Sequence, residues 1–345
     1  MKNKKQTRKR LGALSIVAMV TFFIIAGFFA FELYVISARQ GSDAPLPSNF
    51  GNFIKNRESL ENQPDKKSFS FAVIGDTRSV GTFERLAEKL RVLPIDFAVL
   101  LGDCADNATE DDHRYFRAEC AEEFSMPFPV FYVPGNHDVN EKSFPIMRFE
   151  HDYGPSIFSF EYQHCLFIFL RILGETYPSQ ESIDFLNKMP EEHILKFKKR
   201  FVFMHIPPPV SSVFSSKMFD KSDELISLFK KKRIDYVLAG DYHGYARINT
   251  GQTNYIITGG GGAHLHEDKH KQFNHAIVIT IDKDEESEWI LPVNASVDIE
   301  DKIEKYAIER VWPYFSGNML FTYTLNVFAL LVMSLAVWLI IRYRK

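Results

Sequence analysis

Two stretches without a charged residue bracket this chain of 345 residues: "LGALSIVAMVTFFIIAGFFAF", from Leu11 to Phe31, and "MLFTYTLNVFALLVMSLAVWLII", from Met319 to Ile341. Each reaches the roughly 20 residues that a helix needs to cross a bilayer. Transmembrane helices are therefore expected at 11–36 and 319–341. The first run exceeds the roughly 7–15 apolar residues of a cleavable signal, which favours a retained anchor over a signal cut near Ala38. "MKNKKQTRKR" precedes it and "RYRK" follows the second run. Basic residues on the outer side of both runs predict that segments 1–10 and 342–345 are cytoplasmic, and that the region between lies on the non-cytoplasmic face. The internal runs "KFKKR" and "KKKR" do not oppose this, because long loops translocate largely regardless of charge. They read as solvated helix ends.

The middle of the chain has the makings of a folded domain. Hydrophobic residues make up 46% and aromatics 14% of the sequence, enough for a substantial core. A net charge of −3 leaves no polyanion footprint, so no nucleic-acid partner is expected. Three cysteines are too few for a disulfide scaffold, and Cys104 and Cys120 read as buried thiols, although an exported domain would permit them to pair.

Residues 37–67, rich in Ser, Pro, Asn and charge, read as a linker, as do 296–318; the domain is expected over 68–295. Within it one theme recurs: a short apolar run, a polar loop with Gly or Pro, then an amphipathic stretch. The runs "FSFAVIGD", "DFAVLLGD", "PVFYVPGN", "CLFIFL", "RFVFMH", "DYVLAGD", "NYIITGG" and "HAIVITID" have the length and β-branched or aromatic content of buried strands. "TFERLAEKLRVL" and "SDELISLFKKK" carry helical patterns between them. Alternation of this kind predicts an α/β domain, and "HAIVITID" suits an antiparallel edge, so a mixed sheet or two stacked sheets are expected.

Five of the runs end in residues able to bind a metal or a phosphate. Asp76 follows the first, Asp103 the second, and Asn136, His137 and Asp138 the third; His205 ends "RFVFMH", and Asp241 and His243 follow "DYVLAG". Singly each has an ordinary reading as a turn residue, a helix cap or a satisfied polar group. Together they suit a crevice at the carboxyl ends of strands, where ligands collect in open α/β sheets. His113, His151, His164, His264, His266, His270 and His275 follow no comparable spacing. "HIPPP" reads as a rigid turn after His205. "GGGGA" lacks the Lys and Ser/Thr of a P-loop and reads as a loop of close approach.

In this order "GD-x-R", "GDCAD", "YVPGNHDV", "MHIPP" and "GDYHGYAR", with "YIITGGGGA" behind them, resemble the calcineurin-like metallophosphoesterases over roughly Ser68 to Asp282. The resemblance implies two stacked mixed β-sheets flanked by helices and two divalent metal ions, Mn, Fe or Zn. Asp103 would bridge the ions, Asp76 and His243 would hold the first, and Asn136 and His205 the second. Such a pair clamps both oxygens of an in-line phosphoryl displacement and makes water a nucleophile at neutral pH. His137 would protonate the leaving oxygen, with Asp138 orienting its ring.

The chain departs from the family pattern twice. Arg78 stands where a histidine of the first ion is expected, and Asp241 replaces the first histidine of the Gly-His-x-His pair. A guanidinium offers no lone pair to a metal, whereas the Asp241 carboxylate does, with a shift toward harder metals. Three readings follow. Arg78 binds a substrate phosphate bidentately while Asp106, placed like the tyrosine ligand of the related purple acid phosphatases, fills the vacant position. The first ion binds weakly, or the enzyme uses one metal. The site is degenerate and the domain only binds phosphorylated ligands. Beside these stands a structural salt bridge from Arg78 to Asp103 or Glu84.

The sequence thus predicts a membrane-anchored, metal-dependent phosphoesterase acting on a phosphorylated substrate. A lipid-linked or envelope-precursor ester is suggested by the bilayer tethers alone. The opposing class is a catalytically degenerate receptor for phospho-ligands.

Overall fold

The computed structural model describes residues 2–78, 80–174, 177–211, 219–266, 271–283 and 285–343. Helices α1 (Lys2–Gly41) and α2 (Ile54–Glu61) precede β1 (Ser68–Ile74); α3 (Thr82–Arg91), β2 (Phe97–Leu100), α4 (Glu110–Glu122) and β3 (Val130–Tyr132) follow. Next come α5 (Ile146–Tyr153), β4 (Phe158–Tyr162), β5 (Cys165–Phe169), α6 (Gln180–Lys188), α7 (Glu191–Ile194), β6 (Lys199–Met204), α8 (Ser222–Lys231) and β7 (Tyr236–Ala239). Strands β8 (Tyr245–Asn249), β9 (Asn254–Thr258), β10 (His275–Asp282) and β11 (Glu285–Pro292) lead to α9 (Ile299–Tyr306), α10 (Trp312–Gly317) and α11 (Met319–Tyr343). The chain divides into two compact units, residues 44–302 and the pairing of 1–43 with 303–345.

Two mixed sheets build the larger unit. One has the order β11-β10-β1-β2-β3 and the other β4-β5-β6-β7-β9-β8. Strands β1, β2 and β3 are mutually parallel, as are β5, β6, β7 and β9; β10, β11, β4 and β8 run antiparallel to their neighbours. Strand β10 is antiparallel as expected, but it lies inside its sheet, covered at the edge by β11.

The alternation of side chains along each strand decides the layers. Phe71 and Val73 of β1, Phe97 and Val99 of β2, and Phe201 and Phe203 of β6 face into one core between the sheets. Their neighbours Ala72, Ile74, Ala98 and Leu100 turn outward onto Leu86 and Leu90 of α3. Val202 and Met204 turn outward onto Leu225 and Phe229 of α8. Burial on both faces explains why these strands are apolar without interruption. Phe71 sits at the centre, its ring 5.1 Å from Phe97 and 5.2 Å from Phe201.

Residues 44–67 behave as part of this unit rather than as a free connector. Phe50 is buried against Phe116 and Tyr132. Asn52 Nδ2 donates to the Tyr132 carbonyl at 2.7 Å, and its Oδ1 accepts from the Tyr132 N–H at 2.8 Å. Its amide thereby substitutes for a strand along the open edge of β3, a contact that polar composition alone does not reveal. Cys104, Cys120 and Cys165 are all free and buried.

The smaller unit holds the two apolar helices, Ala13–Gly41 and Met319–Arg342, both long and apolar enough to cross a membrane. At 1.5 Å per residue the shorter spans about 36 Å, more than a typical hydrocarbon core. Glu32 and Asn326 are paired there, the amide donating to Glu32 Oε1 at 2.8 Å.

Candidate metal centre

The carboxyl ends of β1, β2, β3, β6 and β7 open onto one hollow. Asp76, Asp103 and Asp241 each have φ between 55° and 61°, the left-handed region that Asp tolerates better than most residues. Such a backbone turns the chain sharply at the strand end and aims the carboxylate back over the sheet. Three site residues held this way mark a constellation maintained against local preference. The loops interlock: the Asp76 N–H donates to the Gly102 carbonyl at 3.0 Å, and the Gly240 N–H to the His205 carbonyl at 2.9 Å. A Cβ on Gly135 would collide with the Asp103 backbone and carboxylate, and one on Gly259 with the Tyr242 carbonyl and Asp76 Oδ2. The glycine run at 259–262 is therefore a place of close approach.

Two groups of donors face the two oxygens of Asp103. Near Oδ1 stands His205 Nε2 at 3.2 Å; that nitrogen is also 3.2 Å from Asn136 Oδ1 and 3.7 Å from Asp241 Oδ1. His205 Nδ1–H donates to the Leu101 carbonyl at 2.6 Å, which leaves Nε2 as the atom directed inward and the one a metal ion would take. Three oxygens and one imidazole nitrogen thus converge, a donor set that fits manganese, iron or zinc. Near Oδ2 stands Arg78 Nη2 at 3.3 Å, and the same atom is 3.3 Å from His243 Nε2. His243 Nδ1–H donates to the His264 carbonyl at 2.5 Å, so its Nε2 also points a lone pair inward, 3.6 Å from Asp76 Oδ1. That Asp76 oxygen is buried and accepts no hydrogen bond from the described residues. One ligand atom from each of Asp76, Asp103 and His205 lies within 4.8 Å of the other two.

The electrostatics agree with a site built for positive charge. Burial alone would raise Asp103, but His205 and Arg78 outweigh it and hold its carboxyl well below the usual carboxylate range. Burial would lower His205, yet Asp103, Asp76 and Asp241 push it up to about 10. Burial raises Asp76 against the opposing pull of His243 and His205.

The remaining candidates fall in different places. His137 donates its backbone N–H to Asp103 Oδ1 at 2.9 Å, and its Nδ1–H donates to the Asp106 carbonyl at 2.7 Å. Asp106 thus meets the site through its backbone. Asp138 differs from expectation: it is not the group that orients the His137 ring. Its Oδ2 accepts from the N–H groups of Asp103 and Gly135, and its Oδ1 from those of Cys104 and Ala105, at 2.6–2.8 Å. A fully buried carboxylate with four backbone donors has no capacity left for an imidazole.

His113, which no spacing singled out, supports this arrangement from below. Its Nε2–H donates to the Asp138 carbonyl at 2.7 Å, its Nδ1 pairs with the Tyr153 hydroxyl at 2.9 Å, and its ring stacks on Phe144 at 3.6 Å. His266 lies with its ring parallel to that of His243 at 6.1 Å. His275 is buried between Thr258 and the Phe273 carbonyl, while His151 and His164 pair with Asp152 and Asp65 at the surface. His270 lies outside the described residues.

The family model described as calcineurin-like phosphoesterase matches residues 69–245, just over half of the chain. Among solved structures, a dimetal phosphatase from Danio rerio is similar at 13% identity, covering 66% of this chain and 97% of its own, with a TM-score of 0.53. Purple acid phosphatase PPD1 from yellow lupin is similar at 14% identity over 69% of this chain and 55% of its own, at a TM-score of 0.49. GAP50 of Plasmodium matches at 15% identity over 71% and 96%, at 0.47. At these identities the likeness is one of fold. No curated protein matches the sequence.

Proposed function

Because the chain belongs to the calcineurin-like phosphoesterase family, we propose that it hydrolyses a phosphate ester at the centre formed by Asp103 and its neighbours. The observation that carries the reading is the bridging geometry of Asp103, whose two oxygens face two separate sets of inward-pointing donors. Asn136, His205 and Asp241 would hold a metal ion on one side, with Asp76 and His243 on the other. When bound, divalent metal supplies charge neutralisation for the phosphoryl group and activation of water.

The chain's own residues supply the rest. Asp106 keeps the proton on His137 Nδ1, so the imidazolium's transferable proton is the one on Nε2, available to the leaving oxygen. The backbone bond from His137 to Asp103 Oδ1 fixes that acid against the bridging carboxylate. Arg78, 18% exposed, carries a planar guanidinium with five N–H donors, a geometry that suits a phosphate oxygen.

Two membrane-length helices on either side of the catalytic unit motivate the remainder: a non-cytoplasmic active site, from the basic flanks, and a lipid-linked phosphorylated substrate, from the tethering. Turnover of p-nitrophenyl phosphate and of its bis ester with added Mn²⁺, abolished by Asp103→Asn, is the expected result. Bound metal without turnover of any phosphate ester, in micelles of phospholipid or in solution, would favour the phospho-ligand receptor instead.

A further inference from the structure

We propose that the guanidinium of Arg78 permanently occupies the first of the two cation positions, so that the centre takes one metal ion beside a fixed organic cation. The inference rests on the phosphoesterase reading and narrows it, with Arg78 in place of the ion that Asp76 and His243 would otherwise hold. Arg78 Nη2 lies 3.3 Å from Asp103 Oδ2 and 3.3 Å from His243 Nε2, the two lone pairs that a first ion would need. The His264 carbonyl fixes the tautomer of His243, which makes Nε2 an acceptor for that N–H. A metal ion draws the same lone pairs to about 2.0–2.2 Å. Ion and guanidinium therefore compete for the same atoms, and two like charges cannot share them.

Arg78 is poorly placed to withdraw. Its backbone N–H donates to the Asp103 carbonyl at 3.3 Å, and it stands two residues after Asp76, beyond Thr77, on the strand-end turn. Guanidinium stays charged at every physiological pH and cannot ligate a metal. At the second position stand Asp103 Oδ1, Asn136 Oδ1 and Asp241 Oδ1, three oxygen acceptors, with the imidazole Nε2 of His205. Asp76, with a ligand atom within 4.8 Å of those of Asp103 and His205, is able to join the same ion. Exchange of a histidine for aspartate at 241 adds negative charge on the side that keeps its metal. In this arrangement the phosphoryl group is neutralised by one ion and by Arg78, and no ligand from Asp106 is required.

Full-length protein in detergent, saturated with Mn²⁺ and freed of excess, tests the idea by elemental analysis and electron paramagnetic resonance. The wild type should give the six-line spectrum of an isolated ion, and Arg78→His should give an exchange-coupled pair, with manganese content rising from about one to about two per chain. A coupled pair in the wild type overturns the proposal while leaving the phosphoesterase reading intact. So does an uncoupled single ion in an Arg78→His protein whose thermal melt matches the wild type. An Arg78→His protein that fails to fold leaves the wild-type spectrum to decide. Absence of bound manganese from both proteins overturns the proposal alone if p-nitrophenyl phosphate is still turned over, and overturns the phosphoesterase reading with it if no turnover remains.

Discussion

Asp138 is the most heavily used side chain of the centre, and its use is structural. Replacing it by Asn turns one acceptor oxygen into a donor facing backbone N–H groups. The expected loss is on the order of 3 kcal/mol, since each hydrogen bond to a charged group contributes about 1.5–3 kcal/mol. Chemical denaturation of Asp138→Asn checks this. His137→Ala should behave differently, slowing turnover by about 10²–10⁴-fold with metal content and stability retained. A stability loss in that variant comparable to that of Asp138→Asn would contradict the assignment of His137 to proton transfer. At this scale the sequence was legible where chemistry resides in side chains: Asp76, Asp103, Asn136, His205, Asp241 and His243 all follow strands, and their side chains lie close to one another. It was not legible where the partner is a peptide carbonyl. Leu101, Asp106 and His264 fix three imidazoles through atoms that every residue possesses. The motif "GNHD" also places Asp138 next to His137 without saying that its carboxylate turns the other way.

Among the elements, all eight apolar runs became strands, and three further strands were unread: β4, β8 and β11. Each is an edge strand, and an edge strand is shielded on fewer sides. The pattern of "FSFEY" is half polar, that of "YARIN" mostly so, and "EESEWILP" is exposed along most of its length. Central strands declare themselves by burial on both faces. Phe71→Ala, at the middle of the inter-sheet core, should lower stability by about 3–5 kcal/mol in denaturant titration. A second effect belongs to helices α3 and α4. Burial, together with Asp301 and Glu84, pushes Glu119 up to about 8, although the Tyr115 hydroxyl pulls it down; Glu123 adds further negative charge. The folded state therefore holds this proton more tightly than the unfolded chain, in which a glutamate titrates near 4.5. Stability from this group is present below that value and is lost as pH rises through about 8. Tm should fall between pH 5 and pH 8, and Glu119→Gln should flatten that slope.

For the whole molecule, residues 44–302 contain both sheets and every residue of the centre, with hydrophobic clusters on both sides of each sheet. This fragment, produced without the two apolar helices, is expected to fold and to remain soluble without detergent. It should hydrolyse small esters as fast as the full chain, and lose ground only on lipid-embedded ones. Equal loss on both substrate types would indicate that the helices shape the active site itself. Helices long and apolar enough to cross a membrane flank the catalytic unit at both ends, and if both are inserted the polypeptide between them is a loop with two anchorages. A protease that nicks it once leaves both pieces moored, and shedding the enzyme requires two cuts, one on either side. A cell could not turn a protein so moored into a diffusible hydrolase by a single clip.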